Sequence, residues 1–229
     1  MPAEPAAANK WPIPIVLLAI ALSQALMGMS QQFMVRLFQP DNPLLLLISY
    51  AFSGIIVLLW LGWLSMHYFG SVKSGWGLQA PFKAKWLLMI GLATLGLCAF
   101  AWIYADITTV LKIELHPQEV VTMVSQTESQ AEILPVFLII CGFGPIMEEI
   151  IYRACFYSAV KNQFGIFWGV FLSSLIFALM HMNMSSLMPL FMVGVMCAII
   201  FERTKSLTAS VIVHSLFNLV GLIFIYIGA

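Results

Sequence analysis

Apolar residues in this chain fall into long blocks separated by short clusters of Lys, Gly, Pro, Asp and Glu. A helix that crosses a bilayer needs about 20 mostly apolar residues. Seven blocks approach that length: 13–34, 44–69, 86–107, 134–157, 164–181, 187–201 and 207–227, the sixth being short. The pattern predicts an all-α, polytopic membrane bundle of about seven transmembrane helices, within a range of six to eight. The connection 70–85 holds three Lys, three Gly and a Pro and reads as a loop, with Trp76 at the interface. The connection 106–132 carries Asp106, Glu114, Glu119, Glu128 and Glu132 against Lys112. Within it, 118–133 mixes sparse apolar residues with Gln, Ser, Thr and Glu, which predicts a polar helix over the membrane surface or a cavity mouth. Gly142–Pro145 is expected to break the fourth helix. Neither an internal repeat nor a low-complexity tract interrupts the sequence, so 1–229 is read as one membrane domain.

Composition sharpens this picture. Hydrophobic residues make up 62% of the chain, charged ones only 9%, and the mean hydropathy is +0.98. A soluble domain carries about 25% charged residues. Ten Lys and Arg balance ten Asp and Glu. That neutrality excludes a nucleic-acid partner, because phosphate binding needs a basic face. The bilayer is the expected partner instead. With seven spans, the N-terminal side collects Lys10, Lys73, Lys83, Lys85, Lys161, Arg203 and Lys205, and the other side Arg36 and Lys112. Seven cations against two predict a cytoplasmic N-terminus. The first helix follows Lys10 without an A-x-A-like cleavage site and is expected to be retained. A prokaryotic cell membrane is the expected location. Cys98, Cys141, Cys155 and Cys197 sit in apolar runs without ligand-like spacing and read as small hydrophobes. Nothing in the pattern fixes an oligomeric state.

Ionisable residues inside apolar blocks carry the chemistry, because a charge at bilayer depth costs several kcal/mol unless it is paired or functional. The fourth block contains Pro145-Ile-Met-Glu148-Glu149-Ile-Ile-Tyr-Arg153. Glu149 and Arg153 stand at i and i+4, the favourable order for an ion pair. A helix-locking pair accounts for those two residues but leaves Glu148 unexplained. Glu148 is rotated by about 100° and faces a different partner. His181 ends the fifth block, where an interfacial histidine is the bland alternative. His214 and Asn218 share one face of the seventh, where interhelical hydrogen bonding is the bland alternative. Together, a carboxylate, two imidazoles and a carboxamide form a set able to activate water and hold an oxyanion. His67, His116, Arg36, Gln24, Gln31 and Gln32 have ordinary interfacial or packing explanations.

Several protease types are excluded by missing motifs. The chain has no H-E-x-x-H, no G-x-S-x-G, and no Gly-x-Gly-Asp, since Gly142-Phe-Gly144-Pro145 continues into Ile. The three ordered motifs that are present, Glu148-Glu149-x-x-x-Arg153, Phe177-x-x-x-His181 and His214-x-x-x-Asn218, resemble those of the CAAX prenyl protease and bacteriocin-processing (CPBP, or Abi) intramembrane protease family. Each motif is common alone; the set in order on successive apolar helices is specific. The resemblance lies in the motif-bearing core, 134–227, and the first 130 residues match only as apolar spans.

That resemblance implies an intramembrane endopeptidase acting on a peptide or membrane-associated protein, with the region near a lipidated or prenylated C-terminus as one candidate place of cleavage. By it, Glu148 and His181 hold and activate water, with Glu148 as general base and then acid. His214 and Asn218 stabilise the oxyanion, while Glu149 and Arg153 orient the site. It implies no essential metal, although Glu148, His181 and His214 would also make a His2Glu zinc site. Two other classes stay open: a catalytically silent immunity or scaffolding protein of the same fold, and a small proton-coupled transporter, which the lack of a repeat disfavours.

Overall fold

The computed structural model describes residues 11–37, 43–78, 82–116, 118, 121–122 and 130–228. Its elements are α1 (Ile13–Leu37), α2 (Pro43–Phe69), the short α3 (Val72–Gly75), α4 (Leu87–Val110), α5 (Gln130–Leu138), α6 (Gly144–Glu149), α7 (Ser158–Met180), α8 (Leu187–Thr204) and α9 (Leu207–Gly228). Among the described residues there is no strand, so the all-α expectation holds. Six stretches are long and apolar enough to cross a membrane. Most of the expected polar helix 118–133, with Glu119 and Glu128, lies outside the described residues; Gln130 onward is the start of α5.

One of the six stretches, Ile133–Met180, has 48 residues. At about 1.5 Å per residue it is roughly twice the thickness of a bilayer core. It turns back on itself at Gly165, whose φ of 87° lies in the region only glycine enters without strain. The turn brings Phe177 under the Arg153 guanidinium, 4.6 Å from ring to charge. It also seats Gly169 so close to Lys161 that a Cβ there would lie 3.0 Å from the lysine Cβ. The 48 residues thus supply the fourth and fifth expected spans. The break expected at Gly142–Pro145 is absent. The helix instead stays continuous and widens to i→i+5 hydrogen bonding over Ile139–Phe143, and again over Ile150–Tyr157.

Loops that carry the cations gather at one end. Trp11 donates its indole N–H to the Gly75 carbonyl at 2.8 Å, and Gly77 lies against the Phe201 ring. Beside it, Glu202 accepts from the Tyr157 hydroxyl at 2.6 Å and from Lys161 at 2.5 Å, and pairs with Lys205. At the opposite end the Tyr104 hydroxyl reaches the Ser185 carbonyl at 3.0 Å, next to His116 and Asn183. α2 is drawn against the fourth span at Gly54, where a Cβ would sit 2.4 Å from the Met147 sulfur. A side chain there would force the Met147 thioether and the Phe143 ring to move.

Candidate functional site

Glu148 and Glu149 end α6, the short turn held between the two wide segments. Wide turns of this kind concentrate at functional sites because they re-aim side chains and disturb the backbone ladder. The disturbance here can be followed atom by atom. Gly144 gives its N–H to the Ile139 carbonyl, five residues back. The next donor in that register would be residue 145, but Pro145 has no N–H. The Ile140 carbonyl is therefore left without a main-chain donor, and the Asn218 side chain donates Nδ2 to it at 2.9 Å. In the second wide segment the Ser158 hydroxyl donates to the Arg153 carbonyl, also five residues back, at 3.2 Å.

Glu149 is the structural anchor. It and Arg153 are fully buried, 3.1 Å apart, as their spacing predicts. One carboxylate oxygen also receives the His214 Nδ1–H at 2.9 Å, and the other the Ser210 hydroxyl at 2.5 Å. Arg153 donates to the Gly194 carbonyl at 3.3 Å and lies on the face of Phe177. Phe177 is wholly buried and is shared by both imidazoles, with ring centroids 4.7 Å from His181 and 5.6 Å from His214.

Glu148 faces elsewhere, as the rotation between adjacent helical residues requires. Its side chain keeps 17% of its surface. The Tyr50 hydroxyl donates to Oε1 at 2.8 Å, and Oε2 stands 3.7 Å from His214 Nε2. His214 is buried, and its Nδ1–H is committed to Glu149, so in the neutral ring Nε2 carries the lone pair. Two acceptors therefore face each other across a gap too wide for a direct hydrogen bond and suited to one bridging water.

Four of the six expected site residues, Glu148, Glu149, Arg153 and His214, come together directly. His181 joins them through Phe177; its Nδ1–H donates to the Phe177 carbonyl at 2.8 Å, and among the described residues no ion pair links it to Glu148. Asn218 lies on the His214 face of α9, with one amide hydrogen held by Ile140. Sequence reasoning missed Tyr50, Ser210 and Gly194 as partners. Ser210 was findable, since Ser210, His214 and Asn218 recur at intervals of four along α9.

Among the described residues, the group whose ligand atoms lie within 4.8 Å of one another is Glu149, Cys197 and His214, rather than Glu148, His181 and His214. Glu149 already serves Arg153, Ser210 and His214, and the guanidinium would abut any cation placed there. That donor set does not fit a metal.

The fold and this site define an integral membrane protein with a paired-glutamate, histidine centre inside its helical bundle. Residues 130–220 match the family described as "Type II CAAX prenyl endopeptidase Rce1-like". All three motifs lie inside that segment, so the resemblance they carry is borne out there. The chain is 33% identical over 90 residues to "UPF0177 protein YaiF" of Lactococcus lactis, covering 38% of this chain and 39% of that protein. It is 29% identical over 86 residues to "Putative membrane peptidase YdiL" of Bacillus subtilis, covering 37% of this chain and 35% of that protein. A third relative, "UPF0177 protein YxdF" of Lactococcus lactis, is 25% identical over 174 residues, covering 73% of this chain and 89% of that protein. The matched stretches span between a third and two fifths of the first two relatives. No solved structure matches the chain. At family level the similarity is to membrane peptidases of the CAAX type.

Proposed function

We propose that this protein is an intramembrane endopeptidase that hydrolyses a peptide bond by a water activated at Glu148, near a prenylated C-terminus of a peptide or membrane-associated protein. The observation that carries this is the 3.7 Å separation of Glu148 Oε2 from His214 Nε2. A water seated to one side of the pair, within hydrogen-bond reach of both atoms, donates one hydrogen to each acceptor and turns its lone pair outward, as a nucleophile must. Attack on the carbonyl carbon transfers the water proton to Glu148, which then gives it to the departing amine. Glu149 and Arg153 hold His214 in the Nδ1–H form. The second amide hydrogen of Asn218 is the donor left for the oxyanion, worth about 3–4 kcal/mol where such a group is preorganised. His181 keeps Nε2 open beside Phe177 for the water or the substrate. No metal enters this scheme. The family description supports the prenylated substrate class, and the cation count supports a cytoplasmic N-terminus.

The test is mass spectrometry of a peptide library, including C-terminally farnesylated peptides, incubated with detergent-purified wild type and with Glu148→Gln. The expected outcome is cleavage by wild type, loss in the variant by at least about a hundredfold, and persistence in excess chelator. Chelator-sensitive cleavage would replace this mechanism with a zinc one, and identical uncleaved spectra would favour an immunity or scaffolding role.

A further inference from the structure

The carboxylate on which hydrolysis depends is held from outside the family-matched segment. Tyr50 belongs to α2, and residues 130–220 are the ones that match. Its hydroxyl is 2.8 Å from Glu148 Oε1, and the two residues are 98 positions apart in the chain. A close approach of two helices brings the phenol there. Gly54, one helical turn beyond Tyr50, lets α2 close on the fourth span, since a Cβ would lie 2.4 Å from Met147 and 2.8 Å from Phe143. The phenol oxygen lies beside Gly144, at an ordinary contact distance of 3.4 Å from where a Cβ would stand. Tyr50 is also the partner that settles which carboxylate oxygen works. Oε1 is occupied by the phenol, so Oε2 is the oxygen turned to His214 Nε2.

We infer that Tyr50 is a positioning residue for the reaction: by donating to Oε1 it fixes the Glu148 rotamer and presents Oε2 to the attacking water. α2 is then part of the catalytic apparatus and not only a lipid-facing wrapper. The inference rests on the peptidase reading of the same site. A carboxylate freed at Oε1 samples other rotamers, so fewer enzyme–substrate complexes have the base aligned. Substrate contacts are untouched by that change.

The test compares wild type, Glu148→Gln, Tyr50→Phe and Tyr50→Leu on a farnesylated peptide found to be cleaved in the library experiment. Tyr50→Phe keeps the ring and removes only the hydroxyl. It is expected to lower kcat by about tenfold or more with KM changed less than about twofold, with the protein still fully folded at the assay temperature. Tyr50→Leu should lower kcat by at least as much. Cleavage by wild type that is lost in Glu148→Gln but fully retained in Tyr50→Phe overturns this inference alone. A Tyr50→Phe defect that follows a rise in KM or a loss of folded protein at the assay temperature also overturns it, because the hydroxyl would then serve binding or packing. Absence of wild-type cleavage overturns the peptidase reading, and this inference with it.

Discussion

Arg153 and Glu149 are both without measurable exposure, in a bundle with few other charges in its interior. A buried pair adds little beyond what well-packed apolar residues would give, but removing one partner strands the other charge. Arg153→Met is therefore expected to lower stability by about 3–5 kcal/mol, seen as a fall in the denaturant midpoint of detergent-solubilised protein. Ser210→Ala removes one of several donors to Glu149 and should lower it by only about 1–3 kcal/mol. Equal losses would mean that Glu149 is not held chiefly by the ion pair. The pair was legible in the sequence because i and i+4 define a contact wherever the chain is helical. Tyr50 was not legible. One aromatic in an apolar helix gives no sign of which of many distant neighbours its hydroxyl will meet, and only the close approach at Gly54 decides it.

At the scale of the element, the sequence predicted trouble at Gly142–Pro145 and misjudged its form. A proline inside a helix removes one hydrogen bond and crowds the carbonyl before it. Here the backbone answers by widening, and the orphaned Ile140 carbonyl finds a donor on α9. A helix need not break where a side chain can replace the missing N–H, and that replacement comes from residue 218, far along the chain. Asn218→Ala should thus leave a part-buried carbonyl unpaired, lowering stability by about 1–3 kcal/mol. In a Pro145→Ala background the backbone regains a donor in register with Ile140, and the same substitution should have a smaller effect. A double-mutant cycle on the unfolding midpoint measures the difference. Strict additivity would show that Asn218 does not stand in for the missing N–H. Gly194 sets a similar limit between α7 and α8, since a Cβ there would come 2.8 Å from Ser174 Cα. Gly194→Leu is expected to push those helices apart and lower the unfolding midpoint sharply.

For the whole molecule, the hydrophobic blocks were sufficient to place the spans, because in a bilayer length and apolarity alone select the helices. Even the 48-residue stretch was divided correctly, since the polar residues around Lys161–Gln163 and the glycine at 165 interrupt it. The relative arrangement of the spans is less visible in sequence, because a face turned to lipid and a face turned to another helix are both apolar. One global property follows from counting and is sharpened by the fold. Lys161, Lys205 and Glu202 meet at one end, with Trp11 and α3 nearby, while Tyr104, His116 and Asn183 meet at the other. The described connections therefore alternate ends, as the expected seven crossings would require. The cation-rich end is expected to face the cytoplasm, because positively charged loops resist translocation. Two exposed positions can report this: Met182, 88% exposed, and Lys205, whose side chain is 59% exposed. In a variant with Cys98, Cys141, Cys155 and Cys197 replaced, a membrane-impermeant maleimide added to intact cells should label Met182→Cys and spare Lys205→Cys. After the cells are opened, both should react. Labelling of Lys205→Cys alone in intact cells would invert the orientation, and labelling of both would mean that α8 does not cross the bilayer.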